Sequence, residues 1–93
     1  MIHRIVKLNF TASYISEFES KFSAIKKRVI NQNGCIDVSL LKGSEHTYFT
    51  YSLWESKADL ETYRSSSTFK EIWSLLKPNF TAKPEAWSTK KIA

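Results

Sequence analysis

Cysteine is nearly missing from this chain. Cys35 stands alone among 93 residues, so no intrachain disulfide and no cysteine-based metal cluster can form, as expected of a reduced compartment. Glycine is nearly as scarce, at positions 34 and 43 only, and neither a P-loop nor a dinucleotide fingerprint exists. The two histidines, His3 and His46, are isolated from one another, and there is no Ser-His-Asp arrangement or metal-ligand spacing. A zinc enzyme and a nucleotide enzyme are both disfavoured. No apolar run reaches the length of a membrane helix and there is no secretory core segment, so the chain reads as soluble and cytoplasmic, with no membrane partner. In that setting the sequons at Asn9 and Asn79 carry no glycan. The NFTA shared by residues 9–12 and 79–82 falls in different patterns and reads as coincidence. Acidic residues are outnumbered, 9 against 14 Lys and Arg, for a net charge of +5. That balance favours an anionic partner. The positives are nevertheless scattered apart from Lys26-Lys27-Arg28 and Lys90-Lys91, and they read as solvated ends of elements with no nucleic-acid footprint.

What the chain has in quantity is aromatic rings. The stretch Thr47 to Trp54, TYFTYSLW, has no Gly or Pro and is rich in β-branched and aromatic residues, which predicts a strand. Tyr48, Thr50, Ser52 and Trp54 share one face, and Phe49, Tyr51 and Leu53 the other. Neither face is wholly polar, so both are expected to be covered. Residues 2–10 alternate as another strand, with Val6, Leu8 and Phe10 opposite Ile5, Lys7 and Asn9. From Ser13 the period changes: Ile15, Phe18, Phe22, Ile25 and Val29 form one helical stripe, with Ser13 as N-cap and Asn33-Gly34 ending the helix. Residues 35–42 form a second strand, alternating Ile36, Val38 and Leu40 against Asp37 and Ser39, and residues 42–46 form the hairpin turn. After Trp54, Ser56 and Asp59 resemble a capping box opening a short helix from Lys57 to about Arg64. Ser65-Ser66-Ser67 interrupts it and supplies a fresh N-cap, after which Phe69, Ile72, Trp73, Leu76 and Phe80 share a stripe until Pro78 disturbs it. A last strand begins after Pro84 and runs from Glu85 to Ile92.

The order β-α-β-β-α-β predicts one α+β domain over residues 1–93, a ferredoxin-like antiparallel sheet with both helical regions on one face. The other face carries Lys7, Asn9, Asp37 and Ser39 mixed with Ile5, Tyr51 and Leu53. That mixture is too apolar for bare surface and too polar for a dry core. Packing against the same face of a second copy fits it, and predicts a homodimer through the sheet.

The run Trp54-Glu55-Ser56, then Lys57-Ala58-Asp59-Leu60-Glu61-Thr62-Tyr63, then the serine break and Phe69, resembles the antibiotic biosynthesis monooxygenase family of dimeric α+β barrels. The resemblance covers nearly the whole chain. It implies a substrate pocket between the helices and the sheet, and an activity drawn from cofactor-independent quinone-forming oxygenases, haem-degrading enzymes or an isomerase. The haem-degrading branch needs an Asn, a Trp and an axial His at positions matched here by Val6, Tyr63 and Trp73, so the resemblance implies no haem and no other cofactor. Many quinone-forming relatives carry His near Tyr63. A tyrosine there can hold a substrate oxygen but is a poor base at neutral pH.

Taking the face of the third strand that ends in Trp54 as the one under the helices, the predicted pocket wall is Leu8, Phe22, Val38, Tyr48, Thr50, Trp54, Tyr63, Phe69 and Trp73, with Tyr63 and Trp54 as candidate catalytic residues. Each ring has a structural alternative as a core side chain, and Arg64 is either a solvated helix end or a means of steering an anionic substrate. Three readings follow: a cofactor-free oxygenase acting on a small phenol or hydroquinone, a non-catalytic ligand-binding or structural dimer, and an RNA-recognition domain. The third is the weakest, because the expected motif after Lys42-Gly43 breaks at Ser44 and Glu45. A cavity on the order of a few hundred Å³ among Trp54, Tyr63 and Trp73 would favour the oxygenase, and a filled core the structural reading.

Overall fold

The computed structural model describes residues 1–93. Its strands are β1 (Ile2–Asn9), β2 (Cys35–Lys42), β3 (Thr47–Trp54) and β4 (Glu85–Thr89), and its helices are α1 (Ile15–Ile30), α2 (Lys57–Arg64) and α3 (Ser67–Leu76). The sheet order is β2-β3-β1-β4, and every pairing is antiparallel. This is the ferredoxin-like arrangement. Alternation places Ile2 and Leu8 of β1, and Phe10 just past its end, with Tyr48, Ser52 and Trp54 of β3 on the buried face. α1 adds Phe18, Phe22, Ile25 and Val29 from its single stripe, and α3 adds Ile72 and Leu76. Burial of such side chains stabilises by about 1.5–3 kcal/mol each, so these two stripes hold the helices to the sheet.

Local signals account for the helix entries. The Ser56 hydroxyl accepts the Asp59 N–H at 3.1 Å, and the Ser66 hydroxyl accepts the Phe69 N–H at 3.1 Å. Each satisfies an orphan donor of a first turn, so the serine break is a real boundary between two helices. Elsewhere the structure corrects the sequence reading. Ser13 lies within a 3-10 turn, Ala12–Tyr14, and caps nothing; α1 starts at Ile15. That helix stops at Ile30 with Asn31 as C-cap, so Gly34, at φ 81°, serves the entry to β2 instead. A bulge between Cys35 and Asp37 takes Ile36 out of the alternation, leaving it 40% exposed. β4 ends at Thr89, short of Ile92, which is fully exposed.

The two NFTA segments turn out to be partners. Phe10 and Phe80 form an antiparallel bridge, flanked by reciprocal bonds from Thr11 N–H to Asn79 O at 2.9 Å and from Thr81 N–H to Asn9 O at 3.0 Å. Their rings stack 5.3 Å apart. The end of β1 is thereby tied to the turn after α3, which fixes how far the C-terminal helix stands from the sheet.

Candidate functional site

The backbone of α3 approaches α1 and α2 more closely than it approaches the strands, and a cavity of about 90 Å³ remains beneath it. Its floor is the helix-facing side of β1, β2 and β3, through Val6, Leu8, Val38 and Thr50, and its roof comes from Phe22, Ile25 and Val29 of α1, Tyr63 of α2, and Phe69, Ile72 and Trp73 of α3. That volume is below the few hundred Å³ expected of a ligand pocket and below the roughly 150 Å³ of an engineered apolar cavity that holds benzene, so an aromatic ring enters only if a wall moves. Phe69 and Trp73 are only half-buried and are the walls free to do so.

Seven of the nine expected wall residues line this space: Leu8, Phe22, Val38, Thr50, Tyr63, Phe69 and Trp73. The structure places the other two elsewhere. Trp54 is fully buried, its ring stacks on Tyr63 at 5.1 Å, and its indole N–H is spent on the Ser52 hydroxyl at 2.9 Å. It supports Tyr63 from behind and has no donor left for a substrate. Tyr48 packs in the Phe10 and Phe18 ring cluster and donates its hydroxyl to Glu19 on α1. Both departures have one cause: β3 is longer than the cavity is wide, so only its middle residues, Thr50 and Ser52, lie beneath it.

The polar groups of the cavity are few. Burial is the main reason the Tyr63 phenol is pushed up to about 12, with repulsion from Cys35 adding to it and Arg28 opposing. It is a neutral hydrogen-bonding group at any ordinary pH and cannot be a base. Ser52 accepts from Trp54 but keeps its own proton, and Thr50 adds another hydroxyl in the same row. Neither histidine is on the cavity. His3 lies on the opposite sheet face, bonded to Tyr51, and His46 lies in the hairpin turn. Val6, Tyr63 and Trp73 all line it, but none offers the axial nitrogen that a haem would need, and nowhere do three His, Cys, Asp or Glu gather to hold a metal.

Two charged residues complete the wall, Arg4 and Arg64. Arg64 is the helix-end residue that the sequence offers for steering an anion, whereas Arg4 is not among the residues the sequence reading singles out. The signal was present, since Arg4 shares the even-numbered face of β1 with Ile2, Val6 and Leu8, where a charge interrupts an apolar series.

A comparison with protein families matches residues 1–73 to the antibiotic biosynthesis monooxygenase domain. The chain belongs to that family. The family fold is a dimeric α+β barrel, of which one chain is a half. No curated protein matches the sequence. Solved structures that match the fold include a conserved protein of Methanosarcina mazei Go1, with TM-score 0.88 and 22% identity over 98% of this chain and 92% of that one. A candidate antibiotic biosynthesis monooxygenase of Caulobacter crescentus CB15 gives TM-score 0.87 and 21% identity over 99% and 90%. Another, of Nitrosomonas europaea, gives TM-score 0.88 at 9% identity, with both chains fully covered. The antibiotic biosynthesis monooxygenase fold thus persists where most side chains differ. The last 20 residues of this chain, 74–93, lie outside the family match and include β4. No helix here is long and apolar enough to cross a membrane.

Proposed function

We propose that this protein is a cofactor-independent monooxygenase acting on a small phenol or hydroquinone, working as a homodimer. The observation that carries this reading is an aromatic-walled cavity between helices and sheet whose polar groups are hydroxyl donors and guanidinium groups, with no base among them. Such a site orients an aromatic ring, excludes water and holds an oxygen anion. The chemistry then belongs to the substrate. The ionised phenol passes an electron to O₂, the two radicals combine at a ring carbon, one oxygen atom stays on the ring as the second carbonyl of the quinone, and the other leaves as water with the two hydrogens the phenol gives up. Family membership supports the reaction class, and family practice supports the dimer.

The test is O₂ uptake with a panel of phenols and hydroquinones, without metal or flavin, for wild type, Tyr63→Phe and Thr50→Val. A compound turned over by wild type and more slowly by at least one variant supports the proposal. If nothing is turned over, the non-catalytic ligand-binding or structural dimer replaces it, a reading favoured by the small volume of the cavity, about 90 Å³.

A further inference from the structure

On the apolar floor of the cavity one row of the sheet is polar. Register pairs Arg4 with Ser52 on one side and with Ser88 on the other, so two serines flank a guanidinium across three strands. Arg4 is half-buried. It donates to the Ser88 hydroxyl at 3.0 Å and has no carboxylate within ion-pair distance. The last residue of α2, Arg64, brings a second guanidinium to the same cavity. Arg64 is already held by Glu61 at 3.3 Å. The arrangement leaves a net positive charge where three-quarters of the lining is hydrophobic, 13 of 17 residues. Burial first, and repulsion from Arg64 second, hold the Arg4 guanidinium below its ordinary value, with Glu61 opposing. A cation pair left this way is short of an anion.

Resting on the oxygenase reading for the identity of the cavity as a ligand site, we infer that Arg4 and Arg64 form an anion seat for an amphipathic monoanion, whose planar apolar body lies against Tyr63, Phe69 and Trp73 and whose charged oxygen meets Arg4. The Ser52 hydroxyl, free to donate, reaches toward the same oxygen from the neighbouring strand. Either a phenolate or a carboxylate supplies that oxygen. For a phenol the consequence is chemical: binding beside two guanidiniums favours the ionised form, so the protein itself generates the electron-rich species although it has no base.

The probe is 4-nitrophenol, whose ionisation is read directly from its absorbance, titrated against the intact protein under nitrogen so that no turnover is involved. Bound to wild type, its apparent pKa falls by about one to two units. In Arg4→Gln most of that shift is lost, and in Arg64→Gln, an exposed position that leaves the core untouched, part of it. Arg4→Lys restores much of the shift. The neutral isostere 4-nitroanisole binds wild type and both Gln variants alike, which reports that the apolar cavity is intact. Displacement of nitrophenolate by benzoate assigns the seat to carboxylates as well; no displacement restricts it to phenolates. The inference is overturned if nitrophenol does not bind, if it binds with an unshifted pKa, or if the shift survives in both Gln variants. A normal shift without O₂ uptake by any phenol defeats the oxygenase reading and leaves the anion seat standing.

Discussion

Tyr63 concentrates the residue-scale chemistry. Its ring is stacked on Trp54 and edge-on to Phe69, so its position is fixed by packing, while its phenol is pushed up to about 12 mainly by burial. A group whose folded pKa lies above its unfolded value near 10 contributes stability that is fully present below pH 10 and is lost as pH rises toward 12. The sign follows from proton counting: in that window the unfolded chain has released a proton that the folded chain retains. Alkaline unfolding followed by circular dichroism should steepen between these values, and Tyr63→Phe should remove roughly 2 kcal/mol of the pH-dependent loss. An unchanged alkaline profile would mean the hydroxyl is better solvated than its surroundings imply. Gly34 makes a second, purely steric case. It sits at φ 81°, and a Cβ there would collide with the Asp59 side chain. Gly34→Ala should therefore cost about 1–3 kcal/mol in urea denaturation. Asp59→Ala in the same chain should relieve only the carboxylate part of the clash, because alanine keeps the Asp59 Cβ that the new side chain also meets, and the backbone penalty of about 1 kcal/mol stays.

Among the elements, the link between β1 and the turn after α3 decides whether the cavity exists. Phe10 and Phe80 stack across their bridge, and Trp73 packs on Phe80 with 5.6 Å between ring centres. The distance of α3 from the sheet is thus set by rings at the end of the helix, with the cavity spanned between them and the Tyr63 end. Phe10→Ala, at a fully buried site, should destabilise by about 3–5 kcal/mol, and Phe80→Ala, half-buried, by less. The double variant should cost less than the sum, because the rings are in contact. At the other end of α3, Ser66→Ala should cost about 1 kcal/mol by orphaning the Phe69 N–H. Since Phe69 is a cavity wall, the same variant should weaken nitroanisole binding, whereas Ser56→Ala, which caps α2, should cost similar stability.

For the whole molecule the question is what covers the second face of the sheet. Register assembles there a row of Ser39, Tyr51, Ile5 and Trp87, and beside it Leu41, Phe49, Lys7 and Glu85. Leu41 is 55% exposed and Trp87 45%. Rings and aliphatic groups so exposed on one contiguous face are the mark of an interface. Sedimentation at micromolar concentration should give a dimer for wild type and a monomer for Tyr51→Asp, at the centre of the patch. A wild-type monomer would defeat the proposed assembly. His3, bonded to Tyr51, lies in the same surface, so the pair is expected to be buried with it.

By itself the sequence determined what period and local chemistry can carry. The bounds of β2 and β3, both helix-opening serines, the α1 stripe and the parity of β1 and β3 follow from alternation, from 3.6-residue spacing and from side chains that satisfy nearby backbone groups. These are all interactions within a few residues, and so legible along the chain. The Trp54 to Tyr63 run also carried the family resemblance. Tertiary structure alone decided the rest. Whether a ring at a given parity walls a cavity or fills a core depends on where the helices cross the strands, which is why Trp54 and Tyr48 lie outside the cavity. Pairing of the two NFTA segments joins residues some 70 positions apart, beyond any local pattern. Arg4 looked like one more scattered charge until register set it between Ser52 and Ser88, with the end of α2 bringing Arg64 to it. The charge of a site, unlike the shape of an element, is summed over strands that only the fold brings together.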